Sequence, residues 1–197
     1  MQRKTAIEQS ALLVIDAQDS FKAGPRWLRR NNPTFEENVS RLIDTYRSAG
    51  LPVLFFLDSD DDEEFKPGSP YFKLMDFIQP LKGEPVIVKT SRNCFTSTDL
   101  NALLSEANVK RVVVSGIKTE QCCETTARVA SDLGYEVDFV TEATLTFPIP
   151  HPEKDDELSA EEVVRRTEYA LRNRFAHIMT VEGLVEELQG TALSSSE

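Results

Sequence analysis

Short apolar runs separated by helical patterns constrain this chain more than any other feature. Ala11 to Ile15, Pro52 to Leu57, Val86 to Val88, Val112 to Val114, Val137 to Val140 and Ala176 to Met179 read as strands. Several are apolar at successive positions rather than alternate ones, the pattern of strands buried on both faces in a parallel sheet. Between them lie helical patterns. One starts near Thr34, carries Phe35, Val39, Leu42, Ile43 and Tyr46 at helical spacing, and stops at Gly50. Tyr71 to Ile78 reads as a short helix, and STDLNALLSEA as a capped one. A helix capped by Thr119 runs to Gly134, Ser159 and Glu162 form a capping box for the next, and Thr180 caps the last. This alternation predicts an α/β fold: a three-layer, doubly wound sheet of about six mainly parallel strands with helices on both faces. Residues 1–190 then make a single domain, and 191–197, TALSSSE, a disordered tail.

Composition bounds the function. A length of 197 residues suits one domain with a sizeable core. The net charge of -11 disfavours nucleic acid and anionic membrane as partners. No apolar run has the length of a membrane span, and the N-terminus leads straight into a strand rather than a signal-type apolar core, so the expected location is cytoplasmic. The three cysteines, Cys94, Cys122 and Cys123, give no disulfide framework and fit a reducing compartment.

In a parallel sheet the carboxyl ends of the strands share one edge, where ligands bind. Asp16 ends the first apolar run, Lys89 ends the third, and Cys122 falls in the first turn of the helix after Gly116, where unpaired N–H groups and the helix dipole favour a thiolate. Each also has a plain structural reading, as turn former, solvated charge or small core residue. The three together on one edge point to a nucleophile with ionisable partners.

ALLVIDAQDSF, VIVKTSRNCFTSTDL, VVVSGIKTEQCCETTARVASDLGYEV and AEEVVRRTEYALRNRFAHIMT, in that order, resemble the isochorismatase-like superfamily of cysteine hydrolases, which includes nicotinamidases and carbamoylsarcosine amidohydrolases. The resemblance implies the doubly wound fold and a catalytic triad of Asp16, Lys89 and Cys122. It also implies a cis peptide between Ile117 and Lys118 that aims the backbone N–H groups of Lys118 and Cys122 at a substrate oxyanion. Metal-dependent nicotinamidases carry an Asp-x-His pair after the second strand, where this chain reads FFLDSDDDEEF, and His151 and His177 lie far later. No metal and no cofactor are therefore expected. True isochorismatases, which cleave an enol ether, can lack the cysteine. Its presence here favours hydrolysis of a small-molecule amide, carbamoyl or related C–N bond through a thioester. The alternatives are enol ether cleavage and a non-catalytic or redox-sensing homologue.

The same resemblance implies Phe21, Trp27 and Phe95 as candidate pocket walls and a loop from Phe21 to Pro33 that covers the site; the plain alternative is a surface loop anchored by Trp27, or an oligomer contact. Arg26, Arg29 or Arg30 could bind an acidic group. Cys123, in line with Ala127 and Ala130, reads as core filler, and Cys94 as structural. Asp58 to Glu64 reads as a solvated acidic loop. The expected partners are a small-molecule substrate and further copies of the chain, as a homo-oligomer (dimer or tetramer), with no nucleic acid and no membrane.

Overall fold

A computed structural model describes residues 5–194 of the chain, with the side chains of 192–194 left aside. Six parallel strands form one sheet: β1 (Ser10–Ile15), β2 (Val53–Asp58), β3 (Val86–Lys89), β4 (Arg111–Ile117), β5 (Glu136–Leu145) and, after a short hairpin of β6 (Ile149–Pro150) and β7 (Glu157–Leu158), β8 (His177–Met179). Their order is β3-β2-β1-β4-β5-β8. The chain winds outward from β1 to β3, returns to place β4 against the other side of β1, and winds outward again. The crevice between the ends of β1 and β4 is thus the topological switch point, where doubly wound folds bind ligands.

Side-chain alternation along β1 divides the core. Leu12 and Val14 face one layer with α1 (Phe35–Ser48) and α5 (Val181–Ser194), while Ala11, Leu13 and Ile15 face the other with α2 (Leu100–Glu106), α3 (Glu124–Asp132) and α4 (Ala160–Leu171). All six residues of β1 are buried, which explains its unbroken apolar run. Phe35, Val39, Leu42, Ile43 and Tyr46 are the buried stripe of α1, and Gly50 closes it at φ +67°. Ser159 and Glu162 form the capping box of α4. Glu124, at the start of α3, is buried and accepts from Arg128, Arg166 and Thr167, which ties α3 to α4.

Three expectations need correction. Tyr71–Ile78 is not helical. Its backbone pairs with the loop after β1 instead: Asp19 N–H donates to Lys73 C=O at 2.9 Å, Met75 N–H donates to Ala17 C=O at 2.9 Å, and Ser20 Oγ donates to Tyr71 C=O at 3.1 Å. Thr119 does not cap a helix. Its hydroxyl donates to Thr144 Oγ1 at 2.8 Å, and residues Thr119–Cys123 form a π-helical turn ahead of α3. Finally, α5 continues to Ser194, so the first part of the expected disordered tail is helical, while 195–197 lie outside the described residues. Among the described residues, no helix is long and apolar enough to cross a membrane.

Candidate active site

The ends of β1, β2 and β3 bring three charged groups together: Asp16, Asp58 and Lys89. Asp16 follows β1 in the left-handed region at φ +49°, a conformation short polar side chains tolerate better than most. There the chain turns sharply, with Gln18 N–H donating to Asp16 C=O at 2.8 Å. Gly116, paired with Ile15, has φ +125°, and a Cβ built there would lie 1.9 Å from the Ile15 carbonyl oxygen. Only glycine lets β4 approach β1 this closely. The Ile117–Lys118 peptide beyond it is cis, and the π turn then carries Cys122 to the crevice, buried to 2 % exposure.

The structure brings Asp16, Lys89 and Cys122 together. Lys89 Nζ lies 2.9 Å from Asp16 Oδ2 and 3.5 Å from Cys122 Sγ, and it also donates to the Ser91 carbonyl at 3.1 Å. The Asp16 carboxylate is fully buried, with the Lys89 ammonium as its counter-ion. Asp58 is not part of the solvated acidic loop expected from the sequence but the buried last residue of β2. It accepts from Lys89 Nζ at 2.8 Å and from Arg92 Nη1 at 3.0 Å, and Arg92 Nη2 in turn donates to Asp60 at 2.8 Å. Gln18 fixes that strand end, accepting from Asp58 N–H at 2.7 Å and donating to its carbonyl at 3.2 Å. The signal was present: Asp58 ends the run VLFFL as Asp16 ends ALLVI. The acidic residues after it hid it.

Burial and the neighbouring charges shift all three groups. Burial pushes the Asp16 carboxyl up, with Lys89 opposing and Asp58 adding, to about 6. It pushes the Cys122 thiol well above its ordinary value, Asp16 adding to the shift and Lys89 opposing it. Lys89 is raised although its own burial acts in the other direction, because Asp16 and its other anionic neighbours outweigh that burial. Burial thus opposes the Cys122 thiolate that the helix dipole would favour.

At Cys122 opens a cavity of about 240 Å³, whose lining includes Phe21, Arg26, Phe65 and Lys118 together with Asp58, Asp60 and Arg92. Phe21 is thus a wall residue, and the loop after β1 does cover part of the site. Trp27 and Phe95 do not line the cavity. Trp27 packs against Phe147 with ring centroids 6.4 Å apart and carries Arg30 at 4.4 Å, whereas Phe95 stacks on Tyr135 at 5.9 Å. Arg29 pairs with Glu157. Cys123 is fully buried with Ala127 and Ala130, and Cys94 is fully buried against Thr126.

An isochorismatase domain profile matches residues 10–183. The chain belongs to the isochorismatase family. The isochorismatase family protein YrdC of Bacillus subtilis is 28% identical over 182 residues, 91% of this chain and 96% of the relative. Nicotinamidase 3 of Arabidopsis thaliana is 31% identical over 165 residues, 70% of this chain and 74% of the relative. The crystal structure of an isochorismatase-family hydrolase from Chromobacterium violaceum superposes with a TM-score of 0.86 at 26% identity, covering 96% of this chain and 100% of that one. This isochorismatase-family chain is a hydrolase.

A metal at the centre of this isochorismatase-family site would meet a competitor. Ligand atoms of Asp16, Asp58 and Cys122 lie within 4.8 Å of one another, but the Lys89 ammonium stands among them and neutralises the same carboxylates. His151 is exposed in the β6–β7 connection, where its Nδ1 accepts from Glu153 N–H at 3.0 Å, and His177 lies in β8. Neither is among the residues lining the cavity.

Proposed function

We propose that this hydrolase cleaves a small-molecule amide, carbamoyl or related C–N bond through a thioester on Cys122. The observation that carries the reading is the contact of one buried ammonium, Lys89 Nζ, with both the Asp16 carboxylate and Cys122 Sγ at an open cavity.

Ionised Asp16 accepts the Cys122 proton as sulfur attacks the carbonyl carbon, so no free thiolate has to persist in the buried site. Lys89 offsets the negative charge that moves from Asp16 towards sulfur. The carbonyl oxygen becomes an oxyanion held by the backbone N–H groups of Lys118 and Cys122. The C–N bond then breaks as Asp16 returns the proton to the leaving nitrogen, giving the free amine and an acyl thioester. Asp16, ionised again, takes a proton from water as that water attacks the thioester. Collapse expels Cys122, which recovers the proton from Asp16, and the acid product leaves.

The same reading places the protein in the cytoplasm, as a homo-oligomer acting on a small molecule. Three buried free thiols support the reducing compartment. The test is ammonia release from a panel of small amides, ureas and carbamoyl compounds, with Cys122→Ala as control. Turnover that survives Cys122→Ala excludes the thioester route.

A further inference from the structure

Arg26 and Lys118 are cations of the cavity lining that no carboxylate contacts directly among the described residues. Among the described residues neither Arg26 nor Lys118 makes an ion pair, although both line a cavity that also contains Asp58, Asp60 and Asp62. Those carboxylates are otherwise disposed. Asp58 is taken by Lys89 and Arg92, Asp60 by Arg92, and Asp62 is exposed.

Arg26 is held in place without a counter-ion. Its guanidinium carbon sits 5.6 Å from the centroid of Phe21 and 5.7 Å from that of Phe65, and its polar contact among the described residues is a 3.4 Å approach of Nη2 to the Ser20 carbonyl. Its Nε is buried and has no hydrogen-bond partner. Lys118 is half-buried, and its ammonium is held below the ordinary lysine range by that burial and by the nearby positive charges of Arg26 and Arg92, with Glu120 opposing. Two partly desolvated cations facing one space repel each other, and a buried donor without an acceptor costs free energy. An anion between them removes both penalties.

We infer that the substrate carries, beyond its scissile carbonyl, an anionic group of carboxylate type that binds between Arg26 and Lys118. Phe21 and Phe65 hold the guanidinium edge towards the cavity, and the planar fork of Arg26 suits an oxyacid better than a neutral group does. At about 240 Å³, the cavity is below the roughly 300–1,000 Å³ typical of drug-sized ligand sites, so the class is a small amide or carbamoyl compound bearing a carboxylate. The inference rests on the hydrolase reading for the scissile bond, but the cation pair can be tested without turnover.

The probes are 3-maleimidopropionate and its neutral amide, which share one thiol-reactive ring and differ in a distal charge. Site-resolved labelling rates at Cys122 are measured for both reagents and normalised to free cysteine. The acid should be favoured by roughly tenfold or more, the scale of a charge-assisted hydrogen bond, and the preference should shrink as salt rises. Arg26→Gln and Lys118→Met, which keeps the backbone N–H, should each bring the ratio towards that of free cysteine. A salt-insensitive ratio equal to that of free cysteine in the unaltered protein, or a preference that both variants leave intact, overturns the inference. The salt series needs no variant, so misfolding of Arg26→Gln does not block the test. A protein that prefers the acid yet hydrolyses no amide keeps this inference and loses the hydrolase reading. One that turns over neutral amides with no labelling preference does the reverse.

Discussion

Asp58 Oδ1 lies 2.8 Å from Lys89 Nζ, as close to that ammonium as Asp16 Oδ2 at 2.9 Å. Lys89 is thus clamped between two carboxylates and cannot turn towards one without leaving the other. Asp58 also raises the Asp16 pKa while Lys89 lowers it, so the two residues act on the proposed base with opposite sign.

That opposition gives the first prediction. On a verified substrate, kcat/KM should rise with pH through about 6, as Asp16 ionises. In Asp58→Asn the acid limb should move to lower pH, with turnover reduced by up to roughly a hundredfold through misplacement of Lys89. In Lys89→Ala the limb should move to higher pH, since a positive charge that favoured ionised Asp16 is gone, and stability should fall by about 3–5 kcal/mol because two buried carboxylates lose their partner. Limbs that move together, or not at all, in pH–rate profiles of the two variants would contradict the arrangement.

Asp16→Asn should reduce turnover by about 10²–10⁴-fold, the usual contribution of a general base, without loss of fold. The sign of its stability effect follows from the raised pKa. The folded state holds the Asp16 proton more tightly than the unfolded state does, so this group's contribution is greatest below pH 4 and declines as pH rises towards 6. Replacing it with a neutral amide should therefore leave the melting temperature at pH 8 no lower than that of the parent. A large drop in thermal denaturation would mark Asp16 as a structural residue.

Gly116→Ala should fold poorly. Its Cβ would overlap the Ile15 carbonyl at 1.9 Å in a backbone conformation, φ +125°, that side chains rarely adopt, for a loss of about 3 kcal/mol or more. Urea denaturation of the soluble fraction measures this. A near-parental midpoint would mean that β1 and β4 are not as close as described.

Of the three thiols, Cys122 should alkylate first. All three are pushed up by burial, so acidity does not separate them. Access does, because Cys122 alone lines the cavity while Cys94 and Cys123 are fully buried. Peptide mapping after brief treatment with iodoacetamide gives the order, and labelling led by Cys94 or Cys123 would exclude the cavity as the route in.

The strands and the three groups at their ends were legible because each follows from local pattern: an apolar run, then a charged residue or a glycine turn. Asp58 obeys the same rule, yet it stands beside Asp60, Asp61 and Asp62, and composition cannot tell a buried member of an acidic run from its exposed neighbours. The pairing with Lys89 that separates Asp58 from them spans distant residues. Tyr71–Ile78 misled for a related reason, since its apolar spacing is helical but its backbone groups find partners around Asp19. Trp27 and Phe95 show the limit for loops. Both are aromatic and follow Asp16 or Lys89 in sequence, but their rings pack on Phe147 and Tyr135, contacts that nothing in the spacing announces.

The thioester itself is the most direct test of the proposed chemistry. Once ammonia release has identified a hydrolysed amide, rapid-quench mass spectrometry of enzyme mixed with that compound should find the acyl mass on the peptide carrying Cys122 during turnover. Neither the adduct nor turnover should survive in Cys122→Ala. An adduct on another residue, or a Cys122→Ala protein that still turns over, would contradict Cys122 as the nucleophile.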